Sequence, residues 1–470
     1  MNRVNRTLSF FVIAAAFCAS AAGAEEVPVE LPAGFSIKKV AGNELVPDAS
    51  AMTVGPEGNP VVSGPGYVRK LIDNNGDGLF EAYETLAAPQ GIAQGIWYDG
   101  QSLWLTVDGA IKRSVSKTAG KPFVMQRVVS IKTGVEHGTH AIRKGPDGWW
   151  YVLCGNATDI EESFYAHEGS PVQDPRAGFL MRFPPTVKTG DEFSAQIHCH
   201  GFRNAYDFDF DSTGNLYAFD SDGERDVSLP WYRPTRVFRM EPGDDAGWVS
   251  KSWKRPASFC DMPELVGQLG RGSPTGVAAC DAQTFGSRYK DTLFLGDWTF
   301  GRIGIAKPGV GVEVFATAKG SFGFAVTDLE FAPGRGLFVT TGGRRTKGSL
   351  YLISATKEAA DVFAGSAASH RSKQRFQPIP IVTEETVFAD AVASIASSGG
   401  ASLEDEIRKL QLMIGDCDGD GMFAGHVAKS PIKFSGSVAK QIGDQLLPLL
   451  SRQESVFEAC LLYTSPSPRD

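Results

Sequence analysis

The chain is poor in features that would mark it as a membrane, nucleic-acid or zinc protein. Beyond residue 24 no stretch approaches the roughly 20 apolar residues that a membrane span needs. Positive charge is not in surplus: the formal net charge is -8, whereas a phosphate backbone calls for clustered Lys and Arg. Neutral or weakly polar small molecules fit that balance better. Seven cysteines are present, and their spacings match no zinc pattern. Helical periodicity is almost absent between Gly34 and Ile353, which argues against helical and βα architectures.

The first residues carry an export pattern. Arg3 and Arg6 precede an apolar run from Leu8 to Ala22, and Ala22-Gly23-Ala24 supplies the small residues of a cleavage site, so residues 1–24 read as a signal peptide and the mature chain is expected to begin near Glu25. In the oxidising compartment this implies, Cys154, Cys199, Cys260 and Cys280 are candidates for a disulfide; the alternative is buried free thiols acting as small hydrophobes.

A repeat organises the middle of the chain. Each unit is a turn containing Gly or an acidic residue, followed by a short aromatic or β-branched strand: Pro56-Glu57-Gly58 before Pro60–Ser63, Asp99-Gly100 before Leu103–Thr106, and Pro146-Asp147-Gly148 before Trp149–Leu153. Asp211–Gly214 before Leu216–Phe219, Tyr289–Asp291 before Thr292–Leu295, and Pro333–Gly336 before Leu337–Thr341 complete six units. A period of roughly 40 to 50 residues suits four-stranded blades around a channel. The predicted fold is all-β: a six-bladed β-propeller over residues 25–355.

After that the composition changes. Residues 356–400, rich in Ala, Ser and Lys, read as a linker, and residues 401–460 as a short helical segment. Ser402 and Asp405 form a capping-box-like start, and Leu403, Ile407, Leu410 and Ile414 share one helix face. A second amphipathic stretch runs from Ser437 to Leu450. Two short helices bury little, so this region is expected to open a helical repeat array that the chain does not complete. Residues 461–470, LLYTSPSPRD, resemble a translated sequencing adapter and are expected to be foreign.

Three motifs bear on chemistry. Asp73-Asn-Asn-Gly-Asp-Gly-Leu-Phe-Glu-Ala-Tyr-Glu84 fits a twelve-residue calcium loop, with side-chain oxygens from Asp73, Asn75 and Asp77, the carbonyl of Leu79 and a bidentate Glu84, while Gly78 permits the turn. Its flanks look like strands, so it predicts a calcium-clipped hairpin; a plain Asn/Asp/Gly turn is the alternative. A second run, Asp416 to Gly421, opens in the same way but reaches Val427 where a Glu is required. Next, Glu136-His137 stands ahead of Gly145-Pro146-Asp147-Gly148. A His just before an inner strand would face the channel, where it is a candidate base for a hydroxyl proton; a structural histidine is the alternative. Last, Gly201-Phe202-Arg203-Asn204-Ala205-Tyr206-Asp207 pairs a forked cation with an amide, suited either to a carboxylated or quinone ligand or to a salt bridge between blades.

Together these motifs resemble those of the soluble quinoprotein glucose and aldose sugar dehydrogenases, six-bladed propellers that bind pyrroloquinoline quinone over the channel. In that family an acidic residue and a His precede a Gly-Pro-Asp turn, as Glu136, His137 and Gly145–Asp147 do here, and the His is the general base. A Gly-x-Arg-Asn motif contacts the quinone, which Gly201–Asn204 reproduces; Ser273-Pro274-Thr275-Gly276 and Asp291–Trp298 look like its Pro-Ser-Gly segment and next blade. The resemblance implies that His137, Arg203 and Asn204 are catalytic, that Arg203 and Asn204 hold the cofactor, and that Arg302 and Gln90 also face it. Arg344, Arg345 and Lys347 are further basic residues late in the propeller, and Glu136 departs from the family's usual Asp. The resemblance also implies a second Ca²⁺ at the quinone, a sugar or alcohol substrate, and a cytochrome c acceptor. Phrases such as Pro230-Trp-Tyr-Arg-Pro-Thr235, Gly272-Ser-Pro-Thr-Gly276 and Gly296-Asp-Trp298 are closer still to the propellers labelled membrane-bound dehydrogenases in planctomycetes. Those continue into a cytochrome c domain; no Cys-x-x-Cys-His occurs here, so a haem partner is expected to be a separate protein or a missing segment. Two rival readings are a calcium-dependent lactonase-type hydrolase, which needs carboxylates converging in the channel, and a non-catalytic glycan-binding propeller using Trp149, Trp150 and Trp231.

Overall fold

The computed structural model describes residues 26–356, apart from residues 252, 253, 256–258 and 260, together with the short helical stretches 389–390, 392–393, 440–441 and 444–445. The signal peptide, most of the linker, most of the helical segment, the second acidic run and the last ten residues therefore lie outside the described residues. No helix among the described residues is long and apolar enough to cross a membrane.

The chain forms six antiparallel sheets, each a blade. Blade 1 comprises Ala51–Val54, Pro60–Gly64, Tyr67–Ile72 and Ala82–Ala87; blade 2, Gly95–Tyr98, Leu103–Val107, Ala110–Ser116 and Val124–Ser130; blade 3, Thr139–Lys144, Trp150–Cys154, Gly178–Phe183 and Gln196–Phe202. Blade 4 comprises Phe208–Phe210, Leu216–Asp220, Thr235–Met240 and Glu264–Gly270, and blade 5, Pro274–Ala279, Leu293–Asp297, Arg302–Lys307 and Gly311–Ala318, with Val29–Glu30 added at its edge. Blade 6 takes Val326–Ala332, Gly336–Thr341 and Ser349–Ala355 from the end of the propeller and its outermost strand, Phe35–Ala41, from the beginning.

The repeated turns explain the regularity. All six predicted turns connect the first and second strands of a blade. Gly58, Gly100, Gly148 and Gly214 adopt φ between 77° and 92°, a left-handed conformation that glycine tolerates best. In blades 1, 3 and 4 the glycine N–H closes the turn by donating to the carbonyl three residues back.

Because each blade stacks on two neighbours, inner strands are apolar on both faces: every residue of Leu103–Val107 is buried, whereas the outermost Val124–Ser130 is largely exposed. Six hydrophobic clusters fill the six interfaces between blades; that between blades 2 and 3, for example, holds Trp104, Trp150, Phe179 and Phe183. Each such side chain contributes about 1.5–3 kcal/mol on burial. Near the axis the blades are also tied by polar bonds: Ser63 Oγ to the Ala93 carbonyl (2.5 Å), Thr106 Oγ1 to His140 O (2.7 Å), Thr275 Oγ1 to Val326 O (2.9 Å), and the Val277 and Met52 N–H groups to Asp207 (2.9 Å) and Asp328 (2.6 Å).

Cys154, Cys199 and Cys280 are buried free thiols, and Cys260 lies outside the described residues. The expected disulfide thus has no counterpart among the three described cysteines, which act as core hydrophobes; burial pushes the Cys154 thiol up to about 12.

Candidate functional site at the channel mouth

Strand alternation sends two sets of connections to one face of the ring: those leading into each innermost strand and those joining second to third strands. Gln90, Glu136, His137, Arg203 and Asn204 all lie in the first set, and Arg302 begins a third strand at the same end. Asp48, Asp108, Ala177, Ser228, Arg344 and Arg345 have positive φ and lie in these connections, with Asp291 the one other described non-glycine residue of that kind. Backbone strain of this sort clusters at functional sites.

His137, Arg203 and Asn204 are brought together through blade 3. The side-chain amide of Asn156 lies 2.7 Å from His137 Nδ1, and its backbone N–H donates to the Arg203 carbonyl at 2.9 Å. Gly155 passes between the two segments: a Cβ there would sit 2.7 Å from both Asn204 Oδ1 and the His137 carbonyl, so the close approach requires glycine. The buried carboxylate of Asp220 accepts the consecutive N–H groups of Arg203 (3.0 Å) and Asn204 (2.9 Å), which fixes the motif. Burial pushes that carboxyl up to about 6, against the pull of Arg236 and the two amides. The Arg203 guanidinium donates to Ser221 Oγ at 2.9 Å and lies 5.7 Å over the Trp248 ring.

Asn204 also reaches the axis. Its Oδ1 lies 2.9 Å from Nε2 of His140, a buried imidazole stacked on Tyr206 with ring centroids 4.2 Å apart. Burial pushes His140 down to about 4, so it is neutral near pH 7. Tyr206 OH in turn accepts from Gln94 Nε2 at 3.2 Å. Sequence reasoning assigned no role to His140, Asn156 or Asp220, nor to Tyr206, although Tyr206 stands in the same motif as Arg203 and Asn204. His140 was the most accessible of them, three residues beyond His137 on an inner strand.

Arg302 and Gln90, the other two expected cofactor contacts, have partners within the protein. Arg302 donates to Asp297 (2.7 Å) and to the carbonyls of Leu269 (2.9 Å) and Arg271 (2.7 Å), a strut joining blades 4 and 5. The Gln90 N–H donates to Asp108 at 3.3 Å and its side chain is exposed. Guanidinium at the mouth comes instead from Arg344, which pairs with Glu136 and lies 5.2 Å over Trp298. Its neighbour Arg345 is anchored by an N–H donated to Asp48 at 3.0 Å.

Below the mouth the axis is closed. A cavity of about 20 Å³ lined by Met52, Gln94, Tyr206 and Asp328 has room for about one water. In its wall Arg143 donates to Asp207 (3.0 Å) and Glu330 (3.1 Å), with Asp209 and Asp328 close by. Carboxylates do converge in the channel, then, but around a guanidinium.

The calcium motif lies at the opposite end, between the third and fourth strands of blade 1. Asp73 accepts from the N–H groups of Gly76 (2.7 Å) and Gly78 (2.9 Å), and Asn75 and Asp77 are hydrogen-bonded to each other. The third carboxylate of the cluster is Glu81, within 4.8 Å of Asp73 and Asp77. Glu84 departs from its expected place: it is ion-paired with Lys70 (3.2 Å) and Lys117 (2.7 Å) along the sheet. The Leu79 N–H donates to Asp77 at 2.7 Å.

These observations define a six-bladed propeller with a polar site over a closed axis. No family model matches the sequence, and no curated protein is similar to it at the level of sequence. Among solved structures the chain is similar to the holo form of the pyranose dehydrogenase PQQ domain from Coprinopsis cinerea, with a TM-score of 0.52 at 14% identity over 69% of this chain and 97% of that one. It is also similar to the PQQ-bound aldose sugar dehydrogenase of Streptomyces coelicolor (0.48, 16%, 69% and 100%) and the soluble aldose sugar dehydrogenase of Escherichia coli (0.49, 14%, 68% and 99%). At these identities the likeness is one of fold.

Proposed function

We propose that this chain is an exported oxidoreductase that holds pyrroloquinoline quinone at the channel mouth and oxidises a hydroxyl of a sugar or alcohol. The carrying observation is the junction of His137, Asn156, Arg203 and Asn204 in the connections at the mouth. The donor set fits a flat, carboxylated quinone: Arg203 and Arg344 supply positive charge, and the Trp298 ring lies beside the Arg344 guanidinium. When bound, the quinone supplies a carbonyl carbon that accepts hydride. His137 takes the hydroxyl proton, and Arg203 and Asn204 orient the ligand and stabilise negative charge developing on oxygen. Exposed Leu229 and Trp231, in a connection on the same face, give an apolar surface for a sugar ring. A cytochrome c is the electron acceptor, and Ca²⁺ clips the blade 1 hairpin through Asp73, Asp77 and Glu81.

Reconstitution of the recombinant chain with pyrroloquinoline quinone and Ca²⁺ tests this. Aldoses or alcohols are expected to bleach the oxidised quinone spectrum, and His137→Ala to slow the bleaching about 10²–10⁴-fold. Binding of a sugar in calorimetry with no spectral change for any of them would replace the enzyme with a glycan-binding propeller, a role left mainly to Trp231 because Trp150 is buried and Trp149 lies against Arg182.

A further inference from the structure

The amide of Asn156 has only one orientation that satisfies its surroundings. One end lies 3.0 Å from the indole Nε1 of Trp248 and the other 3.0 Å from the Arg203 carbonyl. An indole N–H only donates and a backbone carbonyl only accepts. The oxygen of Asn156 must therefore face Trp248 and its NH₂ must face Arg203, which sets that same NH₂ 2.7 Å from Nδ1 of His137. Turning the amide over would place oxygen against oxygen and N–H against N–H in a pocket where Trp248 is buried. A nitrogen that receives a hydrogen bond at this distance presents its lone pair, so the proton of the neutral ring is carried by Nε2.

We propose that Asn156 holds His137 as the Nε2–H tautomer, so that in the resting site the ring is a hydrogen-bond donor, and that it becomes a proton acceptor only when this amide turns. Asn156 is thus a positioning residue for His137, with Trp248 and the Arg203 carbonyl as its latch. The second half of the proposal rests on His137 serving as the base in the reaction proposed above; the first half does not.

Nitrogen-15 correlation spectra of the full-length chain with labelled histidine test the tautomer without quinone or substrate, so failed reconstitution leaves this result standing. The neutral His137 ring is expected to show its proton on Nε2. Asn156→Asp, whose carboxylate only accepts, is expected to invert the tautomer to Nδ1–H. Trp248→Phe removes the latch while leaving His137 and Asn156 in place, and is expected to give a mixture of the two forms; it also decides the matter if the aspartate variant fails to fold. A wild-type ring protonated on Nδ1, or an Nε2–H signal that persists in both variants, overturns the proposal.

Discussion

Glu136 and Arg344 sit in connections of blades 3 and 6, on opposite sides of the ring, yet their side chains meet across the channel mouth. Both are more than half exposed, at 69% and 64%, so the pair contributes little to stability, on the order of 0.2–1 kcal/mol. Its importance lies in where it stands: a carboxylated ligand must take Arg344 away from Glu136. Glu136→Gln is therefore expected to leave the unfolding midpoint almost unchanged and to tighten quinone binding several-fold in a titration. Weaker binding in that variant would show that Glu136 contacts the ligand favourably.

Arg143 is the reverse case, a guanidinium largely withdrawn from water among Asp207, Asp209, Asp328 and Glu330. Removing it leaves those carboxylates uncompensated, so Arg143→Ala is expected to cost about 3–5 kcal/mol. Urea unfolding measures this, and an unchanged midpoint would show that the axis tolerates the loose charge.

The same cluster sets a pH dependence. Burial raises Glu330 from an ordinary 4.5 to about 7, against the opposing pull of Arg143. The folded chain therefore binds more protons than the unfolded chain between those two values, and stability falls as pH rises through that window, by up to about 1.4 kcal/mol per pH unit for one such group. Glu330→Gln is expected to flatten the slope between pH 4.5 and 7; a slope equal to that of the wild type would assign it to other groups.

The blade 1 hairpin gives a test that separates two carboxylates. Calcium at one hundred times its dissociation constant is expected to stabilise the chain by about 2.7 kcal/mol, in the wild type and in Glu84→Gln but not in Glu81→Gln. Thermal unfolding with Ca²⁺ and with chelator distinguishes them, and equal losses in both variants would restore Glu84 as a ligand.

That hairpin also shows how far local sequence can be read. The twelve-residue spacing assumes a helix after the loop, which would bring its last residue back to the ion. Here a strand follows, and at about 3.3 Å per residue Glu84 is carried roughly 10 Å beyond Glu81. The blades were legible because their turns recur at a fixed spacing and most of them demand left-handed glycine, whereas His137, Arg203 and Asn204 were singled out by likeness of motif and not by that period. Asn156 and Asp220 were not, since each acts on a segment far along the chain. The strut made by Arg302 was illegible for a related reason: Leu269 and Arg271, whose carbonyls it reaches, are its neighbours only once blades 4 and 5 lie side by side.

The strand Phe35–Ala41 pairs with Ser349–Ala355 and completes blade 6. Synthesis supplies one half of this fastening near the start and the other more than three hundred residues later. Until residue 355 emerges, the first-made strand lacks its partner and the circle stays open, so a growing polypeptide remains threadable for most of its synthesis. Shortening either margin of the propeller removes the clasp and not merely an edge.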